Sequence, residues 1–133
     1  MHYFEVALVL RNSLFLSSIL VNSEAWYGLT EDEKSDLEKQ DEILLRKILD
    51  CPSNSPKCTL YLETGCKPIR FMIMMRQIMF LHYILKEEKE SLIRRFFESQ
   101  ARNPGKNDWV STVRSNLDYL EIWLDFEQIE MCT

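Results

Sequence analysis

The sequence predicts an all-α protein, a single bundle of five to six helices around a central buried helix at about residues 68–86, and three observations carry that expectation. Residues 67–86, KPIRFMIMMRQIMFLHYILK, place apolar side chains on every side of a helix, with only Arg70, Arg76, Gln77 and His82 polar inside the run, and a helix apolar all round is buried. The whole chain has only 3 Gly and 4 Pro in 133 residues, so turns are few and elements long. Alternating runs are scarce, which argues against sheet. One core and one domain, 1–133, fit this length, with 46% hydrophobic residues.

Taken in order, residues 4–21 read as the first helix. Arg11, Ser18 and Asn22 fall on one narrow polar stripe and apolar residues cover most of the rest, so the helix is packed on two sides or turns an apolar face to a partner. It is too interrupted, by Glu5, Arg11 and Asn12, for a signal peptide or a spanning segment. Gly28 ends this part, and Thr30 followed by Glu33 is a capping-box signature that opens a second helix running to about Leu49. Its inward face is Leu37, Leu44, Leu45 and Ile48, with Asp41 in the middle. A carboxylate there needs a partner, and the expected one is Arg70 or Arg76 of the central helix. CPSNSPKC is loop, because Pro52 and Pro56 exclude helix, and TLYLETG is at most a short turn with Leu60 and Leu62 inward. Gly65 and Pro68 start the central helix. KEEKE at 86–90 breaks the chain. A fourth helix to Arg102 places Leu92, Ile93, Phe96 and Phe97 inward; NPGKN stops it, Asn107 or Asp108 caps a fifth helix with Trp109, Val113, Leu117 and Leu120, and Asp125 with Gln128 suits one more short helix.

The chemical inventory is thin. There is no glycine-rich phosphate loop, no HExxH and no GxSxG. His82 reads as a residue at the core's edge; Met72, Met74, Met75 and Met79 read as core filling rather than soft-metal ligands. The spacing of Cys51, Cys58, Cys66 and Cys132 matches no zinc knuckle or CxxC pair, so free thiols in an intracellular protein, nuclear or cytoplasmic, are expected, with a disulfide among the first three as the alternative. No cofactor, metal, membrane or small-molecule ligand is expected, and no catalysis.

The net charge of −5 hides a basic middle: residues 67–106 carry 9 basic and 4 acidic groups. Lys86, Lys89, Arg94, Arg95, Arg102 and Lys106 are the candidate contacts to a nucleic acid duplex. They are interleaved with Glu87, Glu88, Glu90 and Glu98, which favours a solvated helix face over a duplex contact.

Five blocks in order, LRNSLFLSSILVNSEAWYGLT, LEKQDEILLRKIL, LYLETGCKPIRFMIMMRQIMFLHYIL, SLIRRFFESQ and DWV, closely resemble the segment that follows the polymerase palm in reverse transcriptases of non-LTR retrotransposons, over about residues 8–130. The resemblance implies a helical thumb and the part just beyond it, which holds the primer–template duplex. The family's paired catalytic aspartates have no counterpart here. The expectation is therefore a non-catalytic helical interaction module, with a duplex-binding remnant as the alternative. A thumb without its palm exposes apolar surface, so a homo-oligomer, most simply a dimer, is expected through the first helix, with Leu8, Phe15 and Ile19 as the face, or through the central helix.

Overall fold

The computed structural model describes residues 2–103, 105 and 107–121. Among them the chain is all helical and has no strand. Six helices are formed: α1 over residues 2–19, α2 Glu31–Leu49, α3 Lys57–Thr64, α4 Ile69–Lys86, α5 Leu92–Arg102 and α6 Trp109–Tyr119, with a 3₁₀ turn at Ser23–Ala25. The chain, read from sequence as one domain, forms two compact units, residues 1–22 with 29–73, and residues 23–28 with 74–133. The short helix expected at Asp125 lies outside the described residues.

In the first unit the starts and stops follow local chemistry. Thr30 caps α2 by accepting from the Glu33 N–H at 3.2 Å, while the Thr30 N–H donates to the Glu33 carboxylate at 3.0 Å. Two of the helix's orphan donors are satisfied by this exchange. Asp50 ends α2 in the left-handed region with φ 53°. Residues 57–64, expected as a turn, form a full two-turn helix: Pro56 stands at its N-cap, where the N–H it lacks is not needed, and Gly65 closes it at φ 68°. Leu60 is buried as expected, and Leu62 points to solvent. Leu16, Leu20, Leu45, Leu60, Ile69 and Ile73 are the buried apolar residues of this unit.

α1 is not a uniform α-helix, because Arg11–Leu16 form a π-helical turn. A π turn holds one more residue than an α turn and frees carbonyls from the usual ladder. Serine hydroxyls take them up: Ser13 Oγ donates to Val9 O at 2.7 Å, Ser18 Oγ to Leu14 O at 2.6 Å, and Ser17 Oγ to Ser13 O. The added residue also breaks the 100° wheel. Arg11 turns inward and is buried, while Ser18 and Asn22 stay exposed, so the single polar stripe expected of these three does not exist.

In the second unit the core is Leu81, Ile84, Phe97, Val110, Val113 and Leu117, with Ile78, Phe80, Leu85, Ile93, Ala101 and Trp109 packed on it. α4 supplies Ile69 to Ile73 to the first unit and continues into the second. It is buried along one ridge, Ile69, Ile73, Gln77, Leu81 and Ile84, and its other side, Met75, Arg76, Met79, His82 and Tyr83, is exposed. The helix is thus not buried all round as its composition predicts: methionine and tyrosine fill cores but also tolerate water, and residue type does not mark which side stays wet. Ser91 caps α5 by accepting from Arg94 N–H at 3.3 Å. On α5, Phe97 is buried and Ile93 half-buried, but Leu92 and Phe96, expected inward, are exposed.

Asp108 caps α6, accepting from the Ser111 N–H and the Gly105 N–H, both at 2.8 Å. Partial burial pushes its pKa up, but these bonds to the ionised form outweigh it and the net shift is downward. A depressed folded pKa means that Asp108 stabilises the fold above its unfolded value and that this contribution is lost as pH falls through the folded one. Asp108→Asn is accordingly expected to flatten the acid limb of the thermal midpoint below about pH 4; an unchanged limb in pH-dependent melting would refute the assignment.

Candidate functional site

The most constrained group of polar side chains sits inside the first unit. The π turn of α1 delivers Arg11, 3% exposed, against Asp41 of α2, 0% exposed. Arg11 Nε donates to Asp41 Oδ1 at 2.7 Å and its Nη2 to Oδ2 at 2.5 Å, a two-pronged ion pair, while Nη1 donates to Asn12 Oδ1 at 3.0 Å. Parallel bonds of this kind are the strongest arginine geometry. Burial lowers the Arg11 pKa and the Asp41 carboxylate raises it more, so the guanidinium is held charged. Beside it, Glu42 is also buried and meets Lys57 Nζ at 3.2 Å and Arg46 at 3.8 Å. The Tyr61 hydroxyl is enclosed with no hydrogen-bond partner. Its pKa is pushed up by burial first and then by the carboxylates of Asp41, Glu42 and Glu38, so it stays a neutral phenol at every physiological pH. With the Arg11 donors turned onto Asp41 and Asn12 and the phenol neutral, the group acts as a clasp between α1 and α2.

Asp41 is therefore buried and paired, but with Arg11 and not with Arg70 or Arg76. Arg70 instead binds Glu38 at 2.8 Å and Glu31 at 3.0 Å, and Arg76 is exposed on the open side of α4. The reason is geometric: α1 contacts α2 directly, and the π turn swings the one arginine of α1 into that contact. A buried cation needs an anion as much as Asp41 needs a cation, but nothing in the spacing of the first helix marks Arg11 as buried.

The candidate nucleic-acid residues divide. Lys86, Lys89, Arg95 and Arg102 are exposed, and Lys106 lies outside the described residues. Arg94 is removed from the set, being wholly buried, with Nε on Glu98 at 3.1 Å and Nη1 donating to Leu85 O at 2.8 Å. That carbonyl belongs to the last turn of α4, whose end lacks intrahelical donors and attracts a cation. Exposed Glu88 and Glu90 lie between the exposed cations in sequence, and Phe96, expected in the core, is exposed instead.

The expected oligomer face also shifts. Leu8, Phe15 and Ile19 are half-buried; the open apolar residues of α1 are Tyr3, Val6, Val9, Leu10 and Leu14, followed by Val21. Cys51, Cys58 and Cys66 are free thiols. His82 is exposed, as are Met75 and Met79, while Met72 and Met74 are half-buried. Among the described residues no helix is long and apolar enough to cross a membrane, and no three His, Cys, Asp or Glu residues are grouped to hold a metal ion.

In the second unit a polar relay escaped the sequence reading. Buried Gln77 donates to Trp26 O at 2.8 Å and accepts from Asn116 Nδ2 at 2.6 Å, and Trp109 Nε1 donates to Glu24 O at 2.7 Å. These bonds tie the 3₁₀ turn to α4 and α6. No family model, curated protein or solved structure matches the chain.

Proposed function

We propose that the chain is a non-catalytic helical interaction module, related to the post-palm thumb region of non-LTR retrotransposon reverse transcriptases, and that it associates with itself. The observation that carries this reading is the run of exposed apolar side chains on α1, Tyr3, Val6, Val9, Leu10 and Leu14. Contiguous apolar surface of this kind on a folded protein marks an interaction site. Buried Arg11 is taken up by Asp41, and the hydroxyls of Ser13, Ser17 and Ser18 donate to carbonyls of their own helix, which favours contact over chemistry as what this helix offers. The retroelement origin rests on the five sequence blocks and their order.

Light scattering at micromolar concentration is expected to give twice the mass of one chain, and Leu14→Glu is expected to return the protein to one. A single-chain mass for the parent would overturn the proposal. The exposed Lys86, Lys89, Arg95 and Arg102 support a second reading, a surface for nucleic acid; it requires duplex affinity that falls steeply with salt, and absence of binding at low salt removes it.

A further inference from the structure

The inward positions of α1 fall into two groups with a wide step between them. Phe4, Ala7, Leu8 and Arg11 are buried or half-buried, and Leu16, Ile19 and Leu20 take up the pattern again, with Phe15 half-buried beside them. Within each group the spacing is that of an ordinary helical face. The step of five from Arg11 to Leu16 is not, and it is spanned by the π turn, whose hydrogen bonds close over five residues in place of four. We infer, independently of the self-association proposed above, that α1 holds one residue more than its buried face requires, and that the π turn stores it on the open side, where Asn12, Ser13 and Leu14 stand exposed in succession.

A straight α-helix over the same residues would bury the wrong groups. At about 100° per residue, Leu16 and Leu20 would lie about 140° and 180° round the axis from Arg11, and Ser18 would lie about 20° from it. The observed burial is the reverse: Leu16 and Leu20 are 4% and 0% exposed, and Ser18 is open to water. Burying two leucines in place of a hydroxyl is what holds the extra residue in the turn, with Arg11 fixed on Asp41 at its start. Removing one residue from the turn reaches the same facing by another route. In a straight helix shortened by one, Leu16 and Leu20 come to about 40° and 80° from Arg11, on the side of Phe4, Ala7 and Leu8.

Local hydrogen bonding does not oppose the removal. The hydroxyls of Ser13 and Ser18 donate to Val9 O and Leu14 O, and in a continuous α ladder backbone N–H groups serve such carbonyls instead. Arg11 and Asn12 precede Ser13 and keep their mutual bond and the clasp to Asp41.

The test deletes one exposed serine at a time and follows thermal unfolding by far-UV circular dichroism. Ser13 lies within the turn and Ser18 past it, and each hydroxyl donates to a carbonyl of its own helix. Deletion of Ser13 is expected to keep the helix content of the parent and a thermal midpoint within about 4 °C of it. Deletion of Ser18 carries Ile19 and Leu20 about 100° off the buried face, and closing the turn to recover Leu20 would lose Leu16, so the midpoint is expected to drop by about 10 °C or more. Asp41→Ala added to the chain lacking Ser13 is expected to lower the midpoint as far as it does in the parent, because Arg11 keeps its place. Equal midpoints for the two deletions, whether high or low, overturn the inference, and so does an Asp41→Ala change without effect in the shortened chain.

Discussion

Asp41→Ala is expected to destabilise the first unit by about 3–5 kcal/mol, because it strands a buried, charged Arg11. The Arg11 guanidinium makes two of its three bonds to Asp41 inside the α1–α2 contact, where neither partner reaches water. Removing the carboxylate leaves donors with nothing to replace them and a charge with nothing to balance it. Asp41→Asn keeps the shape and one acceptor but not the charge, so its loss is expected to be smaller. The replacement of both partners, Arg11→Met with Asp41→Leu, is expected to recover most of the stability, since two apolar side chains require no desolvation of charge. Urea unfolding followed by far-UV circular dichroism separates these cases. A single-variant loss below about 1 kcal/mol, the range of exposed pairs, would show that the clasp is not buried in solution.

How much of this was legible in the sequence depended on the range of the interaction. Features decided within four residues could be read directly: the Thr30–Glu33 box, the break after Lys86, and a cap at Asn107 or Asp108, of which the structure uses Asp108. Asp41 could be identified as a buried carboxylate, because an acid on an apolar helical face has few alternatives. Its partner could not, because the choice among Arg11, Arg70 and Arg76 turned on a π turn that no periodicity announces. The open face of α1 is Tyr3, Val6, Leu10 and Leu14 and not Leu8, Phe15 and Ile19, since on so apolar a helix residue type does not say which side a neighbour covers. Arg94 misled for a related reason. It lies beside Arg95 in a basic run, and only the approach of α5 to the last turn of α4 turns it inward to Leu85 O. In α4 and α5 residue type overstated burial at Met79, Leu92 and Phe96, since an apolar side chain carries no mark of which neighbour covers it.

Trp109→Ala is expected to cost the second unit about 3–5 kcal/mol, the range for deleting a packed aromatic. The indole stands edge-on to Phe80, with ring centroids 5.6 Å apart, and to Phe97 at 6.5 Å. These contacts join α4, α5 and the start of α6 through one side chain. Its Nε1 also donates to Glu24 O at 2.7 Å, so the truncation opens a cavity and strips a partner from the 3₁₀ turn together. Trp109→Phe keeps an aromatic ring in the core but loses the hydrogen bond together with part of the indole's packing volume, with an expected cost of about 1–3 kcal/mol, below that of the alanine variant. Gln77→Leu provides the complementary cut: it leaves the aromatic cluster intact and removes the bonds to Trp26 O and from Asn116 Nδ2. If the turn is held jointly by Gln77 and Trp109, Trp109→Phe combined with Gln77→Leu is expected to lose a different amount of stability from the sum of the singles, because the second loss acts on a turn already released. Additive losses within about 0.3 kcal/mol in guanidinium unfolding would show that the two donors anchor it independently.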